Sequence, residues 1–246
     1  MASDSVADEP LAGRGVSRRA LFVTGGAALA IGAVGIEVAN LAMGQSSGPL
    51  PQTTPPDVDL MGEHGVLKRV LLIYQECLDR ISRGQPAPLS AVNGAAGVIH
   101  DFIESFHEAL EEGYIFPPLE KAGRLVETVN TLYVQHARGR ELTQLILTAS
   151  SEEKSADSNT AALANAMAAF VRMYGPHEAR EDTVVYPLFR ALHSPAELEQ
   201  LGNTFADLRE KMFGPHGFAH VVAHVATIEK SLGIYDLNQF TPEPPS

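Results

Sequence analysis

The feature that most restricts the fold of this 246-residue chain is a pattern of side chains that occurs twice. Each copy has a histidine, a glutamate four residues later, a second acid directly after that glutamate, and then an aromatic residue followed by proline. The copies are His107, Glu111, Glu112, Phe116 and Pro117, and His177, Glu181, Asp182, Tyr186 and Pro187. Positions four apart lie one above the other on an α-helix. Each copy therefore predicts a helix that points one imidazole and one carboxylate in the same direction.

The remaining apolar residues recur at helical spacing, and no segment of the sequence shows the alternation typical of a β-strand. Four long helices are predicted over residues 59–82, 90–116, 123–149 and 159–186, the first capped by Asp59. Pro117 is expected to end the second helix, and Pro176 to kink the fourth. Ser194 begins a capping box for a fifth helix, and Gly214 separates that helix from a last one. This pattern predicts an all-α fold, an up-down-up-down four-helix bundle with extra C-terminal helices.

The first and third predicted helices each carry one further histidine, so that every long helix brings an imidazole to the bundle. An unpaired carboxylate in a dry bundle core costs several kcal/mol. Two divalent or trivalent cations remove this cost, because imidazole nitrogens bind them and carboxylates bridge them. The sequence therefore predicts a two-metal site formed by His64, His107, Glu111, His136, His177 and Glu181.

Other polar residues near these positions have expected roles that follow from their spacing. Glu112 and Asp182 are expected to be solvated, because no second ligand follows them. Glu63 and Glu108 are alternatives for an extra ligand or for a hydrogen bond to a ligand imidazole. His100 lies seven residues before His107, so it is expected in the core or behind a ligand on the same helix face.

Three histidines four residues apart, His216, His220 and His224, form a stripe on the last predicted helix. Three imidazoles on one helix face can bind zinc, so a second metal site is one interpretation of the stripe. The other interpretation is that the histidines pack the last helix on the bundle, with their imidazoles partly in contact with water.

Composition excludes several classes of protein. The formal net charge of −12 makes nucleic acid an unlikely partner, because the chain is repelled by phosphate backbones. Cys77 is the single cysteine, so an intramolecular disulfide, an iron–sulfur cluster and a cysteine-rich zinc site are excluded.

The N-terminal region has the pattern of an export signal. Arg18 and Arg19 precede a run of uncharged residues, 20–36, that is rich in glycine and alanine. Ser17-Arg18-Arg19-Ala20-Leu21-Phe22 resembles the twin-arginine signal, which implies that the twin-arginine export machinery carries the folded protein to a periplasmic or extracellular location. An uncleaved membrane anchor and a cytoplasmic tail with a chance arginine pair are the alternatives. The run is shorter than the ~20 residues that a membrane span requires.

These patterns divide the chain into an export signal (1–44), a linker rich in proline, serine and threonine (45–58), a metal-binding domain (59–232) and a C-terminal tail (233–246).

Over roughly residues 59–232 the sequence resembles the hemerythrin-like, HHE cation-binding domains. The resemblance is carried by Gly62-Glu63-His64, by the two repeated motifs at 107–117 and 177–187, and by His136…Gly139-Arg140. It implies a non-haem di-iron centre, with other divalent metals as alternatives. It also implies that the four histidines are terminal ligands and that Glu111 and Glu181 bridge the irons. Oxygen-carrying hemerythrins have a second histidine where this chain has Arg140, which argues against reversible oxygen transport.

The function expected from the resemblance is binding or reduction of a small oxidant, namely oxygen, peroxide or nitric oxide. A module that stores or senses iron outside the cytoplasm without turnover is the alternative. A third hypothesis is a structural protein in which the metal only stabilises the bundle.

Changing both Arg18 and Arg19 to lysine is expected to block export, because the twin-arginine route requires the arginine pair. The protein should accumulate inside the cell with its helical content and its bound metal unchanged. Cell fractionation with metal analysis of the retained protein measures both effects, and normal export of the double variant would exclude this route.

Overall fold

Six helices follow one another in the computed structural model, which describes residues 54–151 and 157–245. The four long helices are α1 (Pro56–Ser82), α2 (residues 89–121), α3 (Val126–Ser150) and α4 (residues 157–191). Two further helices follow, α5 (Pro195–Phe213) and α6 (Gly217–Leu232), and then a 3₁₀ turn at Leu237–Phe240. The described ranges contain no β-strand. Among these residues, no helix has the length and apolar character needed to cross a bilayer.

The four long helices pack in a closed ring, in which α1 contacts α2 and α4, and α3 contacts the same two helices. Sequential neighbours joined by short connections run antiparallel, so the predicted bundle and its all-α class are confirmed. The extra helices cover one side of the ring: α6 contacts α1 and α2, and α5 contacts α1. Apolar side chains from all four long helices fill the interior, including the fully buried Leu67, Phe102, Ile146 and Phe170.

The first helix begins three residues earlier than predicted. Pro56 occupies its first position, where the missing N–H of proline costs nothing. Asp59 was expected to cap this helix, but it lies within the first turn and forms an ion pair with Arg209 of α5. Asp57 is buried beside Arg190 of α4, with Arg190 Nε donating to Asp57 Oδ2 at 2.7 Å. The start of α1 is therefore fixed by neighbouring helices, which a local capping pattern does not reveal.

In both repeated motifs the helix continues through the proline, whereas the sequence predicted that the two helices end at residues 116 and 186. The helices run on to Lys121 and Ala191, about one turn beyond the predicted ends. Directly before each proline lies a π-helical turn, Glu111–Ile115 in α2 and Glu181–Val185 in α4. Its i to i+5 hydrogen bonds shift the backbone register, so that a proline ring and its missing N–H are accommodated without ending the helix.

Further along the chain, three other expectations concern Pro176, Ser194 and Gly214. Pro176 lies inside the α-helical segment Asp157–Arg180, and the helix continues past it. The capping box at Ser194 is confirmed: its hydroxyl accepts from the Glu197 N–H while the Glu197 carboxylate accepts from the Ser194 N–H. Gly214 separates α5 from α6 as predicted, with a φ of 78° that favours glycine.

Among the glycines of the described residues, Gly139 of α3 has the nearest neighbouring side chain. A Cβ added there would lie 2.0 Å from the hydroxyl oxygen of Tyr174 in α4. Gly139→Ala is therefore expected to push Tyr174 aside and to lower stability by about 1–3 kcal/mol, measured by thermal unfolding.

Gly62→Ala is the matched control for this prediction. Gly62 lies in α1, and an added Cβ there meets nothing within 4 Å. Alanine should stabilise that helix by about 0.5–1 kcal/mol. Equal unfolding temperatures for the Gly139→Ala protein and the unchanged protein would contradict the close packing of Tyr174 on α3.

Candidate metal centre

The six predicted ligands meet in the interior of the bundle, and all of them are buried. They form two sets. In the first ligand set, His64, His107 and Glu111 offer ligand atoms that lie within 4.8 Å of one another; in the second ligand set, His136, His177 and Glu181 do the same. The first set comes from α1 and α2, and the second from α3 and α4.

Each of the two carboxylates lies between the sets. Glu111 Oε2 is 3.5 Å from His107 Nε2 and 3.5 Å from His136 Nε2. Glu181 Oε2 is 3.2 Å from His177 Nε2 and 3.4 Å from His64 Nε2. Two atoms that bind one ion at about 2.1 Å are about 3.0–3.4 Å apart. The spacing of these nitrogens and oxygens therefore suits ligands of common ions, with each carboxylate facing both positions.

Several of these ligand atoms have no hydrogen bond, which is unusual for buried polar groups. Within the described part of the chain, Glu111 Oε2, His136 Nε2 and both carboxylate oxygens of Glu181 lack a hydrogen-bond partner. Leaving such atoms unpaired in an apolar core is costly, and a cation among them supplies the missing interactions. Imidazole nitrogens with carboxylate oxygens are a donor set that suits iron, zinc and related metals. The residues present therefore fit a pair of metal ions.

Each of the four histidines is oriented by a hydrogen bond at its other ring nitrogen. The Nδ1 atoms of His64, His107, His136 and His177 lie 2.8, 2.9, 3.0 and 2.8 Å from side-chain oxygens of Asp182, Glu63, Glu112 and Gln135, respectively. All four partners offer an acceptor oxygen, so each Nδ1 carries a proton, and each Nε2 faces the interior as the nitrogen that a metal would bind in place of a proton. Metal-binding histidines are commonly oriented in this way.

These four hydrogen bonds form a closed ring around the bundle, which we call the support ring. Glu63 of α1 supports the histidine of α2, and Glu112 of α2 supports that of α3. Gln135 of α3 supports the histidine of α4, and Asp182 of α4 supports that of α1. Each helix thus supplies one ligand histidine and one acceptor for the next helix, so the ring ties the four helices together at the level of the ligands.

The support ring corrects two expectations and answers a third. Glu112 and Asp182 were expected to be solvated, but each turns toward the histidine of a neighbouring helix. Glu63 takes the hydrogen-bonding role that was one of its two alternatives. Gln135 was missed, although its position directly before His136 matches that of Glu63 directly before His64. That correspondence is the signal that would have identified it.

The repeat also includes a second layer of buried charge. Glu108 and Glu178 directly follow the ligand histidines of α2 and α4, and each is buried. Arg140 Nη2 lies 2.9 Å from Glu108 and 2.6 Å from Glu112, while Lys68 forms an ion pair with Glu178. Arg140 and Lys68 are each four residues after the histidine of their own helix. Each cation therefore neutralises the buried glutamate on the neighbouring helix.

Glu108 remains an alternative for an extra ligand. Its ligand atom lies within 4.8 Å of those of Glu112 and His136. Its Oε1 also accepts a hydrogen bond from Tyr174 at 2.6 Å, while Arg140 neutralises it. Glu108 is therefore held at the edge of the second ligand set by groups that lower the cost of its burial.

Aromatic residues distinguish the two ends of the centre. The hydroxyl of Tyr186, from the second copy of the motif, donates to Glu111 Oε1 at 2.7 Å, and the hydroxyl oxygen lies 3.3 Å from His64 Nε2. The corresponding residue of the first copy is Phe116, whose ring stacks on His136 with centroids 5.6 Å apart. A hydroxyl therefore lies against the first ligand set at the place where an apolar ring lies against the second.

Burial perturbs the ionisation of these groups strongly. Burial, with the neighbouring Glu181 carboxylate, raises the pKa of Glu111 well above its usual range. Burial, with Asp59, raises the pKa of Glu63 to about 8. Burial, with the neighbouring His64, lowers the pKa of His107 well below its usual value. Without a cation the centre therefore retains protons on carboxyl groups, and metal binding is expected to release them.

His64 shifts in the opposite direction. Burial alone would lower its pKa, but the carboxylates of Asp182 and Glu181 outweigh burial and raise it to about 9. The same carboxylate–imidazole attraction lowers the pKa of Glu181, beside His177 and His64, although burial opposes it. This end of the centre is thus a buried imidazolium–carboxylate arrangement in the protein alone, and a cation would replace the imidazolium proton.

Histidines outside the two sets do not join them. His100 is half-exposed and lies 2.7 Å from Asp101, so its expected place in the core or behind a ligand is wrong. The segment Ile99–His107 is π-helical, and its wider turns place residues seven apart on different faces. His216, His220 and His224 are exposed, and α6 packs through buried residues such as Val225 and Leu232. The expectation that the stripe packs the helix on the bundle holds only for His224, whose Nε2 lies 3.8 Å from the place of an added Cβ on Gly94 of α2.

The fold and this ligand set together define a helical cation-binding bundle. The hemerythrin HHE cation binding domain family matches the chain over residues 56–154 and again over residues 127–214. The chain therefore belongs to the hemerythrin HHE cation-binding family.

Two curated relatives are each 50% identical to this chain over 194 residues, which are 78% of this chain and 75% of theirs. They carry the names "Uncharacterized protein Rv1995" in Mycobacterium tuberculosis (strain ATCC 25618 / H37Rv) and "Uncharacterized protein Mb2018" in Mycobacterium bovis (strain ATCC BAA-935 / AF2122/97). No solved structure matches the chain at a significant level.

Glu111→Ala is expected to lower the bound metal below two ions per chain, because the Glu111 carboxylate faces a histidine of each ligand set. Elemental analysis of the purified protein measures this stoichiometry. Two tightly bound ions in the Glu111→Ala protein would contradict a bridging role. The control replaces His216, His220 and His224 with glutamine, and it should retain the metal content of the unchanged protein because these side chains are exposed.

Proposed function

We propose that the protein is an exported non-haem di-iron protein that binds or reduces a small oxidant, such as oxygen, peroxide or nitric oxide. The observation that carries the proposal is the position of Glu111 and Glu181, each with one oxygen beside a histidine of both ligand sets. Carboxylates placed in this way suit two ions held side by side. Family membership supports a cation at the centre, and iron is the metal that the resemblance implies.

Iron, when bound, supplies the one-electron chemistry that the side chains of the protein lack. The chain itself would contribute four oriented imidazoles and two carboxylates in a dry interior. Tyr186 adds a hydroxyl that donates a hydrogen bond to Glu111 Oε1 at an oxygen–oxygen distance of 2.7 Å. This hydrogen bond holds the Glu111 carboxylate in place beside the first ligand set.

Arg140 supports oxidant chemistry over reversible transport. In oxygen carriers a histidine stands at the position of Arg140, whereas here the guanidinium neutralises Glu108 and Glu112. Arginine stays protonated and offers no lone pair to a metal. The second ligand set therefore has fewer histidines than the carriers have, and its next available donor is Glu108.

Export is the second part of the proposal, with the twin-arginine machinery as the partner. It rests on Arg18 and Arg19 before the uncharged run, all of which lie outside the described residues. A centre assembled from four helices can only be completed after folding, which suits a route that carries folded proteins. A periplasmic or extracellular location, with or without an uncleaved anchor, is the proposed destination. The net charge of −12 supports a function without nucleic acid.

Iron storage or sensing without turnover is the second candidate, and burial favours it. The six ligand residues have between 0% and 4% of their surface exposed. A centre so enclosed retains its ions well and restricts the entry of a substrate. The two candidates differ in whether the bound iron reacts with an oxidant.

One experiment separates these candidates: metal analysis and optical spectra of the purified protein, recorded anaerobically and after addition of oxygen or peroxide. We expect two irons per chain, a spectral change with either oxidant, and slow consumption of peroxide. A spectrum that returns to its starting form when oxygen is removed would indicate reversible transport and would contradict the proposal. Two irons with an unchanged spectrum would favour storage or sensing.

A further inference from the structure

The support ring is made of three carboxylates and one amide, and the amide is the odd member. Glu63, Glu112 and Asp182 are acidic, whereas Gln135 is neutral. Its Oε1 accepts from His177 Nδ1 at 2.8 Å, in the same geometry as the three carboxylates. An imidazole whose Nδ1–H is bonded to a carboxylate is a more basic ligand than one bonded to a neutral amide. His177 is therefore the weakest donor of the four histidines.

The other histidine of the second ligand set also has a weakened partner. Glu112 supports His136, but Arg140 Nη2 lies 2.6 Å from the same Glu112 oxygen. The guanidinium neutralises much of the negative charge that Glu112 would place behind the imidazole. Neither histidine of the second ligand set is thus supported by an unshared carboxylate.

The first ligand set has stronger support. Asp182 accepts from His64 at 2.8 Å, and no basic side chain in the described part of the chain forms an ion pair with it other than histidine. Glu63 accepts from His107 at 2.9 Å, and the nearest guanidinium nitrogen of Arg209 is 3.7 Å away. Arg209 is engaged more closely by Asp59 and approaches only Glu63 Oε1, so the Oε2 that accepts from His107 is not shared with a guanidinium.

Two other buried glutamates near the two ligand sets each form an ion pair with a basic side chain. Glu108 beside the second set is neutralised by Arg140, and Glu178 on the corresponding position of α4 is neutralised by Lys68. These pairs occupy equivalent places in the repeat and do not by themselves distinguish the sets. The difference lies in the support ring, at Gln135 and at the shared charge of Glu112.

We infer that the two metal positions differ in affinity, and that Gln135 is the positioning residue that makes the second ligand set the weaker one. This inference rests on the proposed two-ion centre. The ion at His64, His107 and Glu111 would be retained, and the ion at His136, His177 and Glu181 would be the first to exchange. A centre of this kind can lose and regain one ion while the other keeps the bundle assembled.

The test uses the full-length protein loaded with Zn²⁺, which has no redox chemistry, and removes the ions with a chelator of known affinity. Metal analysis at each chelator concentration counts the ions that remain. We expect two steps of release, separated by about 10-fold or more in chelator concentration, since support partners of metal ligands contribute 10–100-fold to affinity. Two ions that leave in one step would overturn the inference while leaving the two-ion centre intact. One ion per chain at full loading would overturn both.

Two substitutions assign the steps. Gln135→Glu supplies the missing carboxylate behind His177 and should tighten the earlier step by about 10-fold, which narrows the gap. Glu63→Gln removes a carboxylate behind His107 and should weaken the later step by a similar factor. If Gln135→Glu leaves both steps in place, or if Glu63→Gln moves only the earlier step, the assignment is wrong.

Matched control variants separate local support from overall charge. Gln144→Glu adds a carboxylate at an exposed position of α3 and is the control for Gln135→Glu. Glu76→Gln removes a carboxylate near the C-terminal end of α1 and is the control for Glu63→Gln. Neither residue belongs to the ligand sets or to the support ring, so both release steps should stay within about 2-fold of the unchanged protein. Circular dichroism of each loaded variant verifies that the helices are intact. A shift in Gln144→Glu as large as that in Gln135→Glu would attribute the effect to net charge and overturn the inference.

Discussion

The buried charge at the centre of the bundle is the constraint on which the rest of the structure depends. Glu111 and Glu181 have no exposed surface, and they face four imidazoles in a space surrounded by apolar residues. Such a group of ionisable side chains is stable only if every member is hydrogen-bonded, paired or bound to a cation. The support ring and the two outer ion pairs, Arg140 with Glu108 and Lys68 with Glu178, meet this requirement for most of the polar atoms. Glu111 Oε2 and Glu181 Oε2, which face both ligand sets, are among the buried oxygens that remain without a hydrogen bond.

The π-helical turns explain how each motif supplies both a ligand and a support. Glu111 and Glu181 begin these turns and point into the centre, while the acids that follow them reach the histidine of the next helix. The widened backbone also accommodates the prolines, so the helix continues for about one turn beyond the centre. π-turns inside α-helices are frequent at functional sites, and here both copies have one at the same place in the repeat.

The bundle and the convergence of the six candidate ligands were predictable because both depend on local spacing. A histidine and a glutamate four residues apart lie on the same face of a helix, independently of how that helix packs. The support ring was not predictable in this way, because its bonds join different helices, as with His64 and Asp182, which are 118 residues apart. The helix ends and the place of His100 were wrong for a related reason. Both predictions used α-helical spacing through segments that are π-helical. The pattern of residue types does not indicate where the spacing changes from α-helical to π-helical.

The two halves of the centre repeat each other, so the places where they differ carry the most information. His64 and His107 correspond to His136 and His177, and Lys68 corresponds to Arg140. At the same level of the repeat, however, Tyr186 stands opposite Phe116, and Glu63 stands opposite Gln135. These differences all favour charge and hydrogen bonding at the first ligand set and apolar or neutral contacts at the second. The Tyr186 hydroxyl donates to Glu111 at the first ligand set, whereas the Phe116 ring, which has no donor, stacks on His136 at the second. The internal repeat therefore supplies the ligands of both sets, and the departures from the repeat make the two ligand sets chemically different.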